Sequence, residues 1–361
     1  MTAEEKLQEA IDQAKEVGLR YVYDSDTGFT RRRVGKSFSY IDDKGKKLAA
    51  EHVARCKKLA VPPAWENVWF CRYANGHIQA TGTDARGRKQ YKYHDDWRRM
   101  RDENKFVGMA TFGEKLPALR RRIQAALSPA DLSRECVIAA ICRMLDRTGL
   151  RVGNDAYTDE NNTFGITTLR KKHLDVHGTE ITLDFVGKGN KGWSGTINDA
   201  RLAEVINACS DLPGYRLFKY RDNKGDMHDV TSTDVNAWLH DVTGEDITAK
   251  DFRTWAACTL FLESALKNCA EKTFHLKPVL ENVAAQLGNT PAILKKSYVH
   301  PDLMDLYRTG CFLNKEWQEV KSPVPGLRKS EALLLAWLKG PAQEKPLPLK
   351  KALKASIKKA A

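Results

Sequence analysis

Hydrophobic and polar positions alternate along much of the first hundred residues, as they do in half-buried strands. Two such segments, 68–73 and 77–81, are separated by an Asn-Gly dipeptide that is typical of β-hairpins. A third segment, 88–93, follows the next turn, and residues 47–59 have the composition of a helix packed alongside. The pattern predicts a small β-rich module that ends near Trp97.

From about residue 105 the hydrophobic period becomes helical. We predict helices near 115–127, 130–147, 200–209, 233–241, 253–269, 277–287 and 291–299. One three-stranded sheet interrupts them: it begins at 167–170, continues through the alternating segment 181–186 and ends at 193–197. The fold class is therefore α+β, a small β-rich N-terminal module followed by a larger and mainly α-helical domain.

Three regions follow from these patterns: an N-terminal module over 1–98, a larger domain over 99–325, and a C-terminal helix with a basic tail over 326–361. The tail contains six lysines, one glutamate and three prolines in its last 21 residues, which predicts a flexible segment. Such tails commonly add nonspecific affinity for phosphates, but a solvated tail without a specific role is an equal alternative.

Charge narrows the class of partner. The 361 residues include 59 Lys and Arg against 46 Asp and Glu, a net charge of +13. A surplus of this size favours a polyanionic partner, most often nucleic acid.

The eight cysteines form no C-x-x-C pair and lie at no zinc-binding spacing relative to histidine, so a metal site is not expected. Several lie in apolar helical segments, as expected of a reduced cytoplasmic protein. The N-terminus lacks the apolar core of a signal peptide, and no apolar run approaches the ~20 residues that span a membrane.

The segment 187–192 matches G-x-G-x-x-G, the pattern of dinucleotide-binding loops. That function requires a helix after the glycines, whereas 193–197 has the pattern of a strand. The glycines therefore predict a β-hairpin with Lys188 and Lys191 at its tip, where a lysine can reach a DNA groove or an active site.

Tyr298 follows two lysines on a predicted short helix, with Thr290 as N-cap and Pro291 at the first helical position. Taken alone, such a tyrosine is more often a half-buried residue packed on Leu294. A phenol with its usual pKa of about 10 needs nearby positive charge to act as a nucleophile near neutral pH.

Arginines at two helix ends make that chemistry plausible. Arg151 follows one apolar helix, and Arg253 opens another. Guanidinium groups match the non-bridging oxygens of a phosphodiester and stay protonated. A lysine with a lowered pKa can protonate a leaving alkoxide, so these residue types together favour attack on a phosphodiester.

At these residues the sequence resembles the type IB DNA topoisomerases, in particular the compact poxvirus and bacterial group. The resemblance extends from about residue 20 to 310 and rests on five motifs: Gly87-Arg88-Lys89-Gln90-Tyr91-x-Tyr93, Arg151-x-Gly153, Phe185-Val186-Gly187-Lys188, Lys250-Asp251-x-Arg253-Thr254 and Thr290-Pro291-x6-Tyr298.

The resemblance implies that Tyr298 attacks a DNA phosphate and forms a 3′-phosphotyrosyl link. Arg151 and Arg253 would hold the scissile phosphate. Lys188 would protonate the 5′-oxygen, with Lys250 as a partner in proton transfer. Asn289 stands where the family often has histidine, nine residues before the tyrosine, and would donate a hydrogen bond without carrying an imidazolium charge. Neither ATP nor a metal is implied.

The resemblance also implies that the first module closes over duplex DNA. Gln90, Tyr91 and Tyr93 match positions that touch DNA, and the neighbouring Arg86, Arg88, Lys89, Lys92, Arg98 and Arg99 suit phosphate contacts. Lys191 is a further candidate on the hairpin tip. The expected protein is a monomer that acts in the cytoplasm at the nucleoid, without cofactors.

Two other functions remain open at this point. Tyrosine recombinases share most of these residue types, but they typically place histidine three residues before the second arginine, where this chain has Lys250. A basic DNA-binding protein without catalysis would require the four catalytic residue types to coincide by chance.

Overall fold

The computed structural model describes residues 3–35, 37–85, 87–104, 106–128, 132–155, 158, 162–270, 275–308 and 324–340. The chain divides into two compact units, residues 1–106 and 107–361. The finer division into three regions stays a prediction.

The first unit contains a five-stranded antiparallel sheet in the order β2-β1-β3-β4-β5. Its strands are β1 (Gly28–Val34), β2 (Ser37–Ile41), β3 (Glu66–Cys71), β4 (Ile78–Thr83) and β5 (Lys89–Tyr93). Its helices are α1 (Ala3–Glu16), α2 (Ala50–Lys58) and α3 (Asp95–Asn104). Apolar residues of the central strands pack with Cys56 of α2 and form the core of this unit. Strand β5 is last in the strand order and is therefore an edge strand.

The predicted hairpin at Asn75-Gly76 is present but is not tight. The N–H of Gly76 donates to the carbonyl of Tyr73, yet β3 ends at Cys71 and β4 begins only at Ile78. The side chain of Gln79 explains the longer connection, because its Nε2 donates to the carbonyls of residues 73, 74 and 76. These bonds satisfy buried backbone groups that a two-residue turn would not leave open.

The second unit is mainly helical. Its helices are α4 (Met109–Ala126), α5 (Arg134–Thr148), α6 (Ala200–Asp211), α7 (Ser232–Thr243), α8 (Ala249–Ala270), α9 (Leu276–Gln286), α10 (Pro291–Ser297), α11 (Pro301–Arg308) and α12 (Lys329–Leu338). The buried helix α5 lies at the centre, with nine consecutive or near-consecutive buried residues between Cys136 and Leu145. The chain thus has the mixed α+β fold class expected from its patterns.

The three-stranded sheet is antiparallel in the order β6-β7-β8, formed by β6 (Leu174–His177), β7 (Glu180–Gly187) and β8 (Lys191–Asn198). The predicted first strand at 167–170 is wrong, because Ile166–Thr168 form a 3-10 turn. The hydroxyl of Thr168 donates to the nearby carbonyl of Gly165, which competes with strand pairing, whereas that of Thr167 donates to the carbonyl of Val152 in the loop after α5. A further hairpin of β9 (Lys219–Arg221) and β10 (Met227–Asp229) was not predicted.

Helix ends in this unit place two candidate residues. Gly149 ends α5 in the left-handed conformation, φ 61°, so the chain turns sharply just before Arg151. The hydroxyl of Thr290 accepts from the N–H of Ile293 and starts α10. That helix ends at Ser297, and Tyr298 is its C-cap rather than a residue of its last turn.

Six cysteines are buried and form no disulfide within the described residues, which agrees with their expected role as small hydrophobic residues. The side chain of Cys269, the whole of Cys311 and the basic tail from residue 341 lie outside the described residues. Within the described part, no helix is long and apolar enough to cross a membrane.

Candidate active site

Four separate segments of the second unit converge on one pocket of about 350 Å³. The end of α5 contributes Arg151, the β7–β8 loop contributes Lys188, the first turns of α8 contribute Lys250 and Arg253, and the end of α10 contributes Tyr298. The structure therefore brings together five predicted residues that are spread over nearly 150 positions of the sequence.

The loop that carries Arg151 is fixed by its own backbone. The N–H of Ile166 donates to the carbonyl of Arg151 at 2.9 Å, and the N–H of Thr167 donates to that of Val152 at 2.7 Å. Gly153 has φ +108°, and a Cβ on Gly165 would lie 2.5 Å from the Gly153 backbone. Only glycines allow this close approach, which holds the base of the Arg151 side chain in one place.

Arg253 is 2% exposed and is bound by neutral oxygen atoms. Its Nη1 donates to the carbonyl of Gly149 and its Nη2 to that of Leu287, both at 2.7 Å. Among the described residues it makes no salt bridge, so its positive charge is not neutralised by a carboxylate. Such a charge is available to an anion that enters the pocket.

The Tyr298 phenol lies against this charge. The Cζ atom of Arg253 is 5.0 Å from the centre of the tyrosine ring. Burial opposes ionisation of the phenol, but the charges of Arg253 and Arg151 and their hydrogen bonds to it outweigh that effect and lower the pKa of Tyr298. Burial, together with repulsion from Arg151, lowers the pKa of Arg253 to about 10, so the Arg253 guanidinium remains protonated at pH 7.

Asn289 lies behind the two arginines, 6% exposed. Its Oδ1 accepts from Arg151 Nη2 at 2.7 Å and from Arg253 Nη2 at 2.9 Å. Its Nδ2 is buried and has no hydrogen-bond partner within the described residues. The residue expected to be a donor at this position is therefore an acceptor in this structure, and it joins two cations.

The backbone of Tyr298 is held as well as its ring. Its N–H donates to the carbonyl of Leu294 at 3.0 Å, and the thiol of Cys258 donates to its carbonyl at 3.2 Å. Helix α8 therefore carries Arg253 and also anchors the tyrosine. The sequence contains no signal for this use of Cys258, which in the pattern is one more apolar helical position.

The β7–β8 loop presents its two lysines differently. Lys188 lines the pocket, in a loop where Gly189 and Asn190 have φ of 80° and 60°. The Nζ of Lys191 instead donates to the backbone carbonyl of Asn289 at 3.1 Å. Lys191 was predicted to bind DNA. In the structure this first residue of β8 connects the hairpin to the segment before α10.

Comparison with known proteins decides the family. Residues 94–321 match the model of the eukaryotic DNA topoisomerase I catalytic core, and residues 37–84 match that of the bacterial DNA topoisomerase IB N-terminal domain. The chain belongs to the type IB DNA topoisomerase family. It is 32% identical to DNA topoisomerase 1B of Acanthamoeba polyphaga mimivirus over 78% of this chain and 88% of that protein.

More distant type IB topoisomerases also match. The DNA topoisomerase 1B of vaccinia virus (strain Copenhagen) is 23% identical over 76% of this chain and 85% of its own length. A solved structure of XerH site-specific recombinase bound to palindromic difH substrate, in the post-cleavage complex, aligns at 14% identity and a TM-score of 0.33. That alignment covers 55% of this chain and 51% of the recombinase.

The candidate DNA contacts of the topoisomerase N-terminal module lie on and beside the edge strand β5. Tyr91 and Tyr93 share one face, with ring centres 5.8 Å apart and nearly parallel, and Tyr91 is 42% exposed. Gln90 lies on the opposite face, because neighbouring residues of a strand alternate. An edge strand can present both faces to the walls of a groove.

Two basic residues at the start of this strand, Arg88 and Lys89, are paired with carboxylates. Arg88 forms a salt bridge with Asp84 at 2.7 Å, and Lys89 forms one with Asp24 at 2.5 Å. Both residues were predicted to contact phosphates, whereas in the structure each lies beside a carboxylate. Arg86 lies outside the described residues.

Proposed function

We propose that this type IB topoisomerase relaxes supercoiled double-stranded DNA by cutting and resealing one strand through a 3′-phosphotyrosyl intermediate at Tyr298. The observation that supports this most is the single pocket lined by Tyr298, two arginines and two lysines. Family membership supports this reaction, and the grouping of these side chains in one pocket supports the role that we propose for each of them.

The Tyr298 phenolate attacks the phosphorus while the bond to the 5′-oxygen breaks. Arg151 and Arg253 bind the non-bridging oxygens, whose negative charge grows in the transition state. The same two cations lower the pKa of the nucleophile, so attack and charge stabilisation depend on one pair of side chains.

The leaving 5′-oxygen takes a proton from Lys188, with Lys250 as the partner that shares in the transfer. Asn289 positions the two arginines through its Oδ1, and its Nδ2 donates a hydrogen bond to the phosphate. Resealing is the reverse: the 5′-hydroxyl attacks the phosphotyrosine and Tyr298 leaves. One phosphodiester replaces another, so the reaction consumes no ATP and uses no metal.

A relaxation assay with EDTA and without ATP tests this proposal. We expect the wild type to relax supercoiled plasmid and to form a covalent adduct with DNA that survives denaturation by detergent. Tyr298→Phe should bind DNA and form no adduct. No relaxation by the wild type at moderate salt would refute the proposal, and an adduct in the variant would place the nucleophile elsewhere.

Strand transfer between two plasmids separates relaxation from recombination. We expect none, because Lys250 occupies the place where recombinases carry histidine. We further propose that the protein acts as a monomer in the cytoplasm, at the nucleoid. Sedimentation at working concentration tests the first point, and microscopy of a tagged chain tests the second.

A further inference from the structure

Asp84 lies at the turn between β4 and β5 and holds two side chains of the edge strand. Its Oδ2 accepts from Nε and Nη2 of Arg88 at 2.9 and 2.7 Å, and from Nε2 of Gln90 at 3.0 Å. Its Oδ1 accepts from the backbone N–H of Arg88 at 3.0 Å. With a side chain only 15% exposed, Asp84 links the turn to both residues.

This contact selects one orientation of the Gln90 amide. A carboxylate only accepts hydrogen bonds, so the flipped amide would place Oε1 against the charged oxygens. The orientation seen directs one N–H to Asp84 and leaves Oε1 and the second N–H for another partner. These are the acceptor and donor with which glutamine reads the N6 and N7 edge of adenine in the major groove.

The same contact pairs the positive charge of Arg88 with a carboxylate. Its Nε and Nη2 both donate to Oδ2 of Asp84, which occupies one edge of the guanidinium that would otherwise bind a phosphate. The β4–β5 ribbon therefore carries less free positive charge than its sequence suggests. A ribbon of two strands fits the major groove, where base edges distinguish sequences.

We propose that Asp84 is a positioning residue for DNA sequence preference, because it locks the Gln90 amide in the orientation that reads adenine. This rests on the proposed function, in which the β5 edge strand touches DNA. It assigns one adenine to the preferred binding site.

The test is a binding selection from a randomised duplex library, carried out in the Tyr298→Phe background so that no chemistry intervenes. We expect one strongly enriched adenine. Asp84→Asn keeps the Oδ1 acceptor for the turn but no longer excludes the flipped amide. It should lose most of the roughly 5- to 150-fold preference that a bidentate contact supplies.

The readout that separates positioning from a structural role is a double-mutant cycle. Gln90→Ala should lose the same enrichment, and Asp84→Asn added to it should change nothing further. Additive losses, or full enrichment in Asp84→Asn, would overturn the inference. If Asp84→Asn does not fold, as judged by circular dichroism, Gln90→Ala decides: adenine enrichment retained there refutes it.

Asp24→Asn is the matched control, because it frees Lys89 on the other face and leaves the Asp84 contacts in place. It should raise overall affinity and leave the enriched adenine unchanged; loss of the adenine in this control would also overturn the inference. Because the selection needs no catalysis, a wild type that forms no covalent adduct would refute the proposed reaction without touching this result.

Discussion

The charge of Arg151 acts on the Tyr298 phenol and, in the proposed reaction, also on the phosphate. Because positive charge lowers the pKa of Tyr298 below its usual value near 10, the cleavage rate should rise with pH and level off below that value. Arg151→Gln removes one of the two charges, so the pKa of the phenol rises and the midpoint moves to higher pH.

Single-turnover formation of the covalent adduct, measured across pH in the wild type and in Arg151→Gln, checks this expectation. Arg151→Lys is the control, since it keeps the charge while losing the bidentate geometry. It should slow cleavage and leave the midpoint close to that of the wild type. An unchanged midpoint in Arg151→Gln would contradict the electrostatic coupling.

Asn289 joins two like charges through one neutral oxygen, an arrangement that favours function over stability. Asn289→Asp supplies the missing counter-charge. We expect the melting temperature to rise and the cleavage rate to fall about 100-fold, as when one transition-state donor is lost. Thermal unfolding and single-turnover cleavage measure the two effects. A lower melting temperature, or an unchanged rate, would contradict this account.

Residue identities were predictable where chemistry restricts the type, as for a tyrosine with two arginines and a hairpin lysine. Their partners were not. Nothing in a linear pattern shows that Cys258 binds the Tyr298 carbonyl, or that Asp84 and Asp24 pair with Arg88 and Lys89. Such contacts depend on side-chain directions that only packing determines.

At the scale of elements, α12 supports the helix that carries Arg253. Its Glu331 is fully buried, accepts from Arg120 at 2.8 Å and lies 3.4 Å from the indole nitrogen of Trp255 in α8. At its other end Trp337 packs edge-on against His300, with ring centres 5.0 Å apart. The C-terminal helix therefore braces both Arg253 and the segment that follows Tyr298.

Burial raises the pKa of Glu331, but hydrogen bonds from Arg120 and Arg328 prevail and lower it from 4.5 to about 2. The folded pKa lies below the unfolded one, so this stabilisation is present above about pH 5 and is lost as the pH falls toward 2. The shift corresponds to roughly 3 kcal/mol.

Glu331→Gln should lower the free energy of unfolding by about 3 kcal/mol at pH 7, because Arg120 loses one of its two carboxylates. The loss should shrink as the pH falls. Urea unfolding at pH 7 and pH 3 measures it. Lys339→Gln, at an exposed ion pair, is the control and should cost under about 1 kcal/mol. Equal losses at both pH values would contradict the linkage.

Seven helices of the second unit were predicted, most of them within a few residues, because their apolar period is strong; α4 begins six residues earlier than predicted, and α11 was not predicted. The strand expected at 167–170 failed because Ile166–Thr168 form a 3-10 turn, in which the hydroxyl of Thr168 donates to the carbonyl of Gly165. The hairpin at Asn75-Gly76 was lengthened by Gln79, a polar residue whose burial the alternation does not reveal.

At the scale of the whole molecule, the net charge of +13 should dominate DNA affinity. If about 6–10 phosphates are contacted, affinity falls ~10³- to 10⁵-fold between about 50 and 200 mM salt. Fluorescence anisotropy of a labelled duplex with the Tyr298→Phe protein measures the slope. A flat dependence would show that phosphate contacts do not dominate. Comparison with the chain cut after residue 340 measures what the basic tail adds to that slope.

The fold class followed from the change of hydrophobic period near residue 105; the chain divides into two compact units at residue 106. Sequence could not show that α12 belongs to the core of the second unit. Its apolar residues surround the helix on most sides, so no single packing face stands out.

The position of α12 along the chain affects how the protein matures during translation. Ribosomes release Arg151, Arg253 and Tyr298 before they release α12, the last described helix. Domains fold as units once their parts have emerged. Helix α12, which supports Arg253 and His300, is therefore synthesised after every residue that takes part in the proposed reaction. A nascent chain tethered near DNA should become able to cleave it only when this C-terminal helix docks.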